Sequence, residues 1–148
     1  MAPPFDATQG FGYDKAAAEP CRHLQSDHRC AIHAELVPQG FPGCASFDCY
    51  GAGQHVTQQL FGGRSWRESP ELATQMFSAY ARQRALHEMQ AMTQLALTRT
   101  EGGSAQLLNE VLARLVHLCE IDADIDAVAL RRQVQQQIRS ALNPAESN

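Results

Sequence analysis

The sequence predicts a mainly α fold: a small, loop-rich cysteine module packed on an antiparallel helical bundle, with little or no β structure. Three observations predict it. Four of the five cysteines crowd into the stretch from Cys21 to Cys49. That stretch is broken by Pro38, Gly40, Pro42 and Gly43, which mark turns. The second half carries three patterns, apolar at three-, four- and seven-residue spacing, with helix start and stop signals between them.

Residues 1–20 read as a flexible lead-in, because Pro3, Pro4, Gly10 and Gly12 interrupt any periodicity. Phe5, Phe11 and Tyr13 are available to dock locally. Residues 21–55 form the cysteine-rich module. They hold too little apolar side chain to fold by burial alone, so a staple is expected. Gly51 and Gly53 end the module, and a short helix through Val56 and Leu60 follows until Gly62 and Gly63. Trp66 is placed to anchor the module to the helical part.

Residues 69–143 form the bundle. Ser69-Pro70-Glu71 reads as a helix start, with serine as cap, proline in the first turn and glutamate at the positive end of the dipole. That helix runs to about Thr98 along Leu72, Met76, Ala79, Leu86, Met89 and Leu97. Ser104 is the expected cap of a second helix with Leu107, Leu108, Val111, Leu112, Leu115 and Leu118 on one face. Asp122 or Asp124 is the expected cap of a third, lined by Ile125, Val128, Val134, Ile138 and Leu142. Pro144 stops it, leaving a tail at 144–148. Short links between amphipathic helices imply antiparallel neighbours.

Composition narrows the function classes. A chain of 148 residues suits one domain with a small satellite module. With 44% hydrophobic and 7% aromatic residues, its core is expected to be Leu, Ala, Val and Met. The formal net charge is −4, and the basic residues, eleven arginines and the single Lys15, are scattered. This argues against nucleic acid, which selects a basic face, and against a basic membrane patch. No apolar run approaches the ~20 residues of a membrane span. Residues 1–20 lack an apolar signal segment, so a cytoplasmic location is the expectation. Clustered cysteines there are more often metal ligands or redox groups than disulfides.

Cys21, Cys30, Cys44 and Cys49 are spaced C-x8-C-x13-C-x4-C. Four convergent thiolates hold zinc or an iron–sulfur cluster. The competing readings are unligated core cysteines and a redox or disulfide pair. His23 and His33, close in sequence to Cys21 and Cys30, are alternative imidazole ligands or neighbours of the ligands. His28, beside Asp27, reads as solvated. Gly51 and Gly53 before a short helix form a weak anion-binding candidate without the lysine or third glycine of a phosphate loop. His87 and Glu88 read as surface or interhelix contacts, and Cys119 as a core thiol. No catalytic set is defensible from spacing.

Several blocks carry a resemblance: Cys21-x-His-Leu, Asp27-x-Arg-Cys-x-Ile-His33, Gly40-Phe-Pro-Gly-Cys44, Phe47-Asp-Cys-Tyr-Gly-Ala-Gly-Gln54 and Gly63-x-Ser-Trp-Arg67. They resemble the cysteine-rich leader of certain bacterial pentapeptide-repeat proteins, and Arg84-Ala-Leu-His-Glu88 resembles the helix that follows it there. The resemblance covers roughly residues 20–135. Members of that family continue into Ala-Asp/Asn-Leu-x-x repeats that build a right-handed β-helix. This chain has no such repeat, so that fold is not expected here. A fainter similarity, to the zinc- or iron-chelating cysteine-cluster family, implies a metal on Cys30, Cys44 and Cys49 with Cys21 as fourth ligand.

Two functions are therefore expected. The first is a non-catalytic metal-binding or interaction module carrying zinc or an iron–sulfur cluster. The second is a redox or metal-handling enzyme component using a cysteine-ligated cluster. Incompletely covered helix stripes lead to the expectation of a protein partner or a homodimer, with no nucleic acid and no membrane.

Overall fold

The structure is a computed structural model that describes residues 2–144; beyond Pro144, the predicted tail lies outside them. The chain is mainly helical. It divides into two compact units, one of residues 2–48 and 64–78, the other of residues 49–63 and 79–144. The first boundary between the units falls between Asp48 and Cys49, within the stretch read as the 21–55 module. Among the described residues, β pairing is confined to two isolated bridges, Phe5 with Lys15 and Leu24 with Cys30.

In the first unit, residues 2–20 are built in rather than loose. Phe5 and Lys15 exchange backbone hydrogen bonds at 3.1 and 2.9 Å. Asp6 caps a single 3-10 turn, Ala7–Gln9, by accepting from the Thr8 amide at 2.6 Å. Lys15 is only 6% exposed; its ammonium donates to the carbonyls of Pro3, Ala16 (3.1 Å) and Glu19 (2.7 Å) and lies over the Phe5 ring. Prolines and glycines that read as disorder here supply free carbonyls and tight turns for that lysine. Here Phe5, Phe11 and Tyr13 dock locally, as expected, while the buried core of the chain is mainly Leu, Ala, Val and Met. Phe5 stacks on Phe11, and Tyr13 meets both Phe5 and Phe41 edge-on. Aromatic edge contacts of this kind add to area burial.

A tight turn over Leu24–Cys30 follows, with His28 at φ 67 and Asp27 accepting from the Arg29 amide. The Arg67 guanidinium reaches from the other segment of the same unit and donates to the carbonyls of Gln25 (2.6 Å) and Leu24 (3.5 Å). Trp66 packs edge-on against Phe77 within this unit. Helix α1, Pro42–Ser46, presents Cys44.

In the second unit, helix α2 (Ala52–Gln54) passes into a π-wound turn, His55–Leu60, where the expected short helix stands. Three long helices follow: α3 (Ala73–Leu97, its first residues counted with the first unit), α4 (Gly102–Glu120) and α5 (Ala127–Leu142). One cluster joins Leu86 and Met89 of α3 to Leu115 and Cys119 of α4 and to Leu130 and Val134 of α5. A second joins Ala96 to Leu108 and Ala141. Late α3 therefore meets early α4, and early α4 meets late α5, which makes successive helices antiparallel.

The helix ends differ from expectation. Ser69 makes no capping bond, and a 3-10 turn, Pro70–Leu72, precedes α3. Gly102 and Gly103 belong to α4, whose cap position is Glu101 rather than Ser104. Asp126, not Asp122 or Asp124, caps α5 by accepting from the amides of Val128 and Ala129 at 3.0 Å. Asp122 is engaged elsewhere, as described below.

Candidate metal centre

Three of the four predicted cysteines, Cys21, Cys30 and Cys44, line one cavity of about 310 Å³ in the first unit, and His33 stands in the same wall. Each arrives from a different local device. Cys21 follows the Lys15 loop, Cys30 closes the tight turn and Cys44 rides on α1. His33 opens a 3-10 turn just after Cys30. Phe11, Lys15 and Phe47 complete much of the remaining wall.

Burial raises the Cys44 thiol above its ordinary pKa, and the neighbouring Cys21 and Cys30 raise it further. Cys21 Sγ accepts from the Tyr13 hydroxyl at 3.5 Å and from the His23 amide at 3.4 Å. These two donors hold the Cys21 sulfur in place. Burial lowers the pKa of Lys15, while Cys21 and Glu19 raise it.

The other predicted residues have different surroundings. Cys49 is counted with the second unit. There it bears on Tyr80, whose pKa is pushed up to about 12 by burial first and by Cys49 next. The four-cysteine set is thus not gathered in one unit, and His33 is the nitrogen donor that shares the cavity with the other three. The His23 ring packs edge-on against Phe41 and receives a hydrogen bond from Arg22 at 3.2 Å. His28 is exposed, as expected. Gly51, with φ 79, starts α2, a helix of three residues that is too short to build an anion site.

Spacing did not reveal a second group. His55, His87 and Cys119, all in the second unit, place their donor atoms within 4.8 Å of one another. The two imidazoles meet edge-to-face at 5.3 Å. His87 Nδ1 lies 2.7 Å from the Tyr50 carbonyl oxygen, and His55 Nε2 is buried with no protein partner. Burial, and then His87, holds the His55 pKa below its ordinary value. Burial raises that of Cys119. The Cys119 thiol donates to Gln83 Oε1 at 2.6 Å. Gln83 Nε2 donates back to the Cys119 carbonyl and to Asp122, each at 3.0 Å, and Arg82 closes the chain on Asp122 at 2.6 Å. The signals were a histidine on the π turn and a thiol at the end of α4, each ambiguous alone.

Comparison with known proteins gives one informative likeness. The chain is 45% identical over 89 residues to YybG of Bacillus subtilis (strain 168), a protein described as uncharacterized. The match spans 60% of this chain and 32% of that relative's length. No family profile matches the chain, and no solved structure does. Among the described residues, no helix is long and apolar enough to cross a membrane.

Proposed function

We propose that the chain is a non-catalytic metal-binding protein whose first unit is organised by a zinc ion held by Cys21, Cys30, Cys44 and His33. The observation that carries this reading is the single cavity onto which three thiols and one imidazole open. Three cysteines and one histidine are a common structural zinc set. Metal binding would take the proton from the Cys44 thiol and bring the donors closer than they stand. The ion would set the arrangement of the surrounding loops, and the surface they form would be the working part of the protein.

The width of the cavity supports a second reading. Within the described residues these donors do not share the 4.8 Å separation of the other group. An iron–sulfur cluster bridges wider thiolates than a single ion does, and would make the protein a redox component. The likeness to one stretch of a longer bacterial protein fits the resemblance to a cysteine-rich leader, and we read the chain as related to that class.

Elemental analysis and a visible spectrum after anaerobic purification separate the two readings. One zinc per chain in a colourless protein is expected, with Cys44→Ser losing it. A brown protein carrying iron selects the cluster. A wild-type chain that binds neither, with Cys44→Ser equally resistant to protease across residues 21–48, overturns both.

A further inference from the structure

We infer that His55, His87 and Cys119 form a second metal site, independent of the thiol-lined cavity, which takes one divalent late-transition ion of the zinc or cobalt kind on two imidazoles and one thiolate.

The donor geometry is close to what such an ion needs. Tetrahedral bonds of about 2.0–2.1 Å to nitrogen and 2.3 Å to sulfur place ligand atoms about 3.3–3.8 Å apart. Donor atoms already within 4.8 Å reach that by small side-chain rotations.

Each ligand is prepared by something else in the second unit. A carbonyl oxygen only accepts, so the contact with Tyr50 places the His87 proton on Nδ1 and leaves the Nε2 lone pair free. A backbone carbonyl on the far ring nitrogen is a common way to orient a metal-bound histidine. The partnerless, buried Nε2 of His55 is costly as it stands. An ion would satisfy it. The π-wound turn His55–Leu60 sets that ring opposite His87, and such turns recur at functional sites.

Cys119 completes the set. Its thiol proton leaves to solvent as the sulfur–metal bond forms, so each ion bound releases one proton. Gln83 Oε1, which accepts that proton's hydrogen bond in the empty site, is then free. The two donations from Gln83 Nε2 keep the oxygen turned toward the Cys119 sulfur, where it could share a fourth coordination position. Three protein ligands with a fourth position shared by a weak oxygen donor is the pattern of a site that exchanges ligands, rather than a closed structural one.

Cobalt(II) titration of the full chain under reducing, anaerobic conditions tests this. Cys44→Ser, with the thiol cavity disabled, is expected to bind one cobalt with tetrahedral d–d bands and a thiolate-to-cobalt charge-transfer band, both abolished by added zinc. Adding His55→Gln to that variant is expected to weaken binding by more than the roughly 10–100-fold lost when a partner behind a ligand is changed. Adding Cys119→Ser is expected to remove the charge-transfer band. His55 is half-buried, unlike the buried Cys119, so His55→Gln in the otherwise wild-type chain provides a check that leaves the Cys119 thiol in place. It is expected to bind one cobalt fewer than wild type, with unchanged far-UV dichroism. A charge-transfer band absent from Cys44→Ser, or unchanged by both His55→Gln and Cys119→Ser, overturns the inference. If instead Cys44→Ser binds as many ions as wild type, the zinc reading of the first unit fails while this site stands.

Discussion

The amide of Gly43 donates to the carbonyl of Gly10 at 2.8 Å. This single bond lays the start of α1 directly on the loop of residues 7–13. A β-carbon at Gly43 would stand 2.7 Å from the Gln9 carbonyl oxygen and 3.0 Å from that of Gly10. Both are backbone atoms, which cannot swing aside. Gly40 differs: it has φ +85 but open space around it. Gly40→Ala should therefore cost only the left-handed backbone penalty, about 1–2 kcal/mol. Gly43→Ala should cost a similar total of about 1–3 kcal/mol by overpacking, and should also release residues 2–20. Limited proteolysis separates them: new cuts ahead of Cys21 are expected in Gly43→Ala alone.

Lys15→Met keeps the length of the side chain and deletes the donor shared by three carbonyls. Hydrogen bonds to a charged group are worth more than neutral ones, and the carbonyls would be left partly buried. A loss of about 2–3 kcal/mol in urea unfolding is expected. A loss within error would mean that water replaces the ammonium.

Glu88 and Arg131 make a two-pronged ion pair, with bonds of 2.9 and 2.6 Å between α3 and α5. The Arg131 hydrogen bonds hold the Glu88 carboxyl below its ordinary value of 4.5. A lowered folded-state pKa contributes stability above the unfolded value and loses it as pH falls through the folded one. Arg131→Ala should thus be less stable than wild type near neutrality by up to about 1 kcal/mol, since both groups are partly exposed. The difference should shrink steadily once the pH drops below the ordinary carboxylate value. Urea midpoints for the pair of proteins across that range check the sign.

Asp126→Ala removes the side chain that accepts from Val128 and Ala129. A loss of about 1 kcal/mol is expected, with Asp126→Asn recovering most of it. Asp124→Ala should leave thermal unfolding unchanged.

Chelation should act on the two units unequally. A structural zinc contributes on the order of 10–16 kcal/mol in small peptides. Removing the ion proposed for the cavity should expose residues 21–48 to protease. The helices α3 to α5, with cores of their own, should keep most of their far-UV signal. A uniform collapse of both signals would show that bound metal supports more than the loops around the cavity.

The three long helices were legible because their periodicity is local: Leu108, Val111 and Leu115 announce a buried face whatever lies opposite. Their caps were less so. Asp122, Asp124 and Asp126 all suit a helix start by residue type, and only the tertiary demand of Gln83 and Arg82 on Asp122 decides among them. Cys21, Cys30 and Cys44 were legible as a cluster, whereas the assignment of Cys49 to the second unit depends on where the chain turns after Asp48. His55, His87 and Cys119 come from a turn and two separate helices, so no short window holds them together. The order in residues 2–20 was hidden for a related reason, because a loop that folds around one buried ammonium has no period.

That ammonium has a chemical consequence. Lys15 is the chain's single lysine, and it is folded inside with three carbonyls around it. The native protein consequently shows almost no lysine to acylating reagents, amine cross-linkers or lysine-modifying enzymes. Covalent attachment by that route would first have to open the loop of residues 2–20. Its arginines, in contrast, are spread along the chain from Arg22 to Arg139, so reagents that read guanidinium and reagents that read amine would report two very different surfaces for the same molecule.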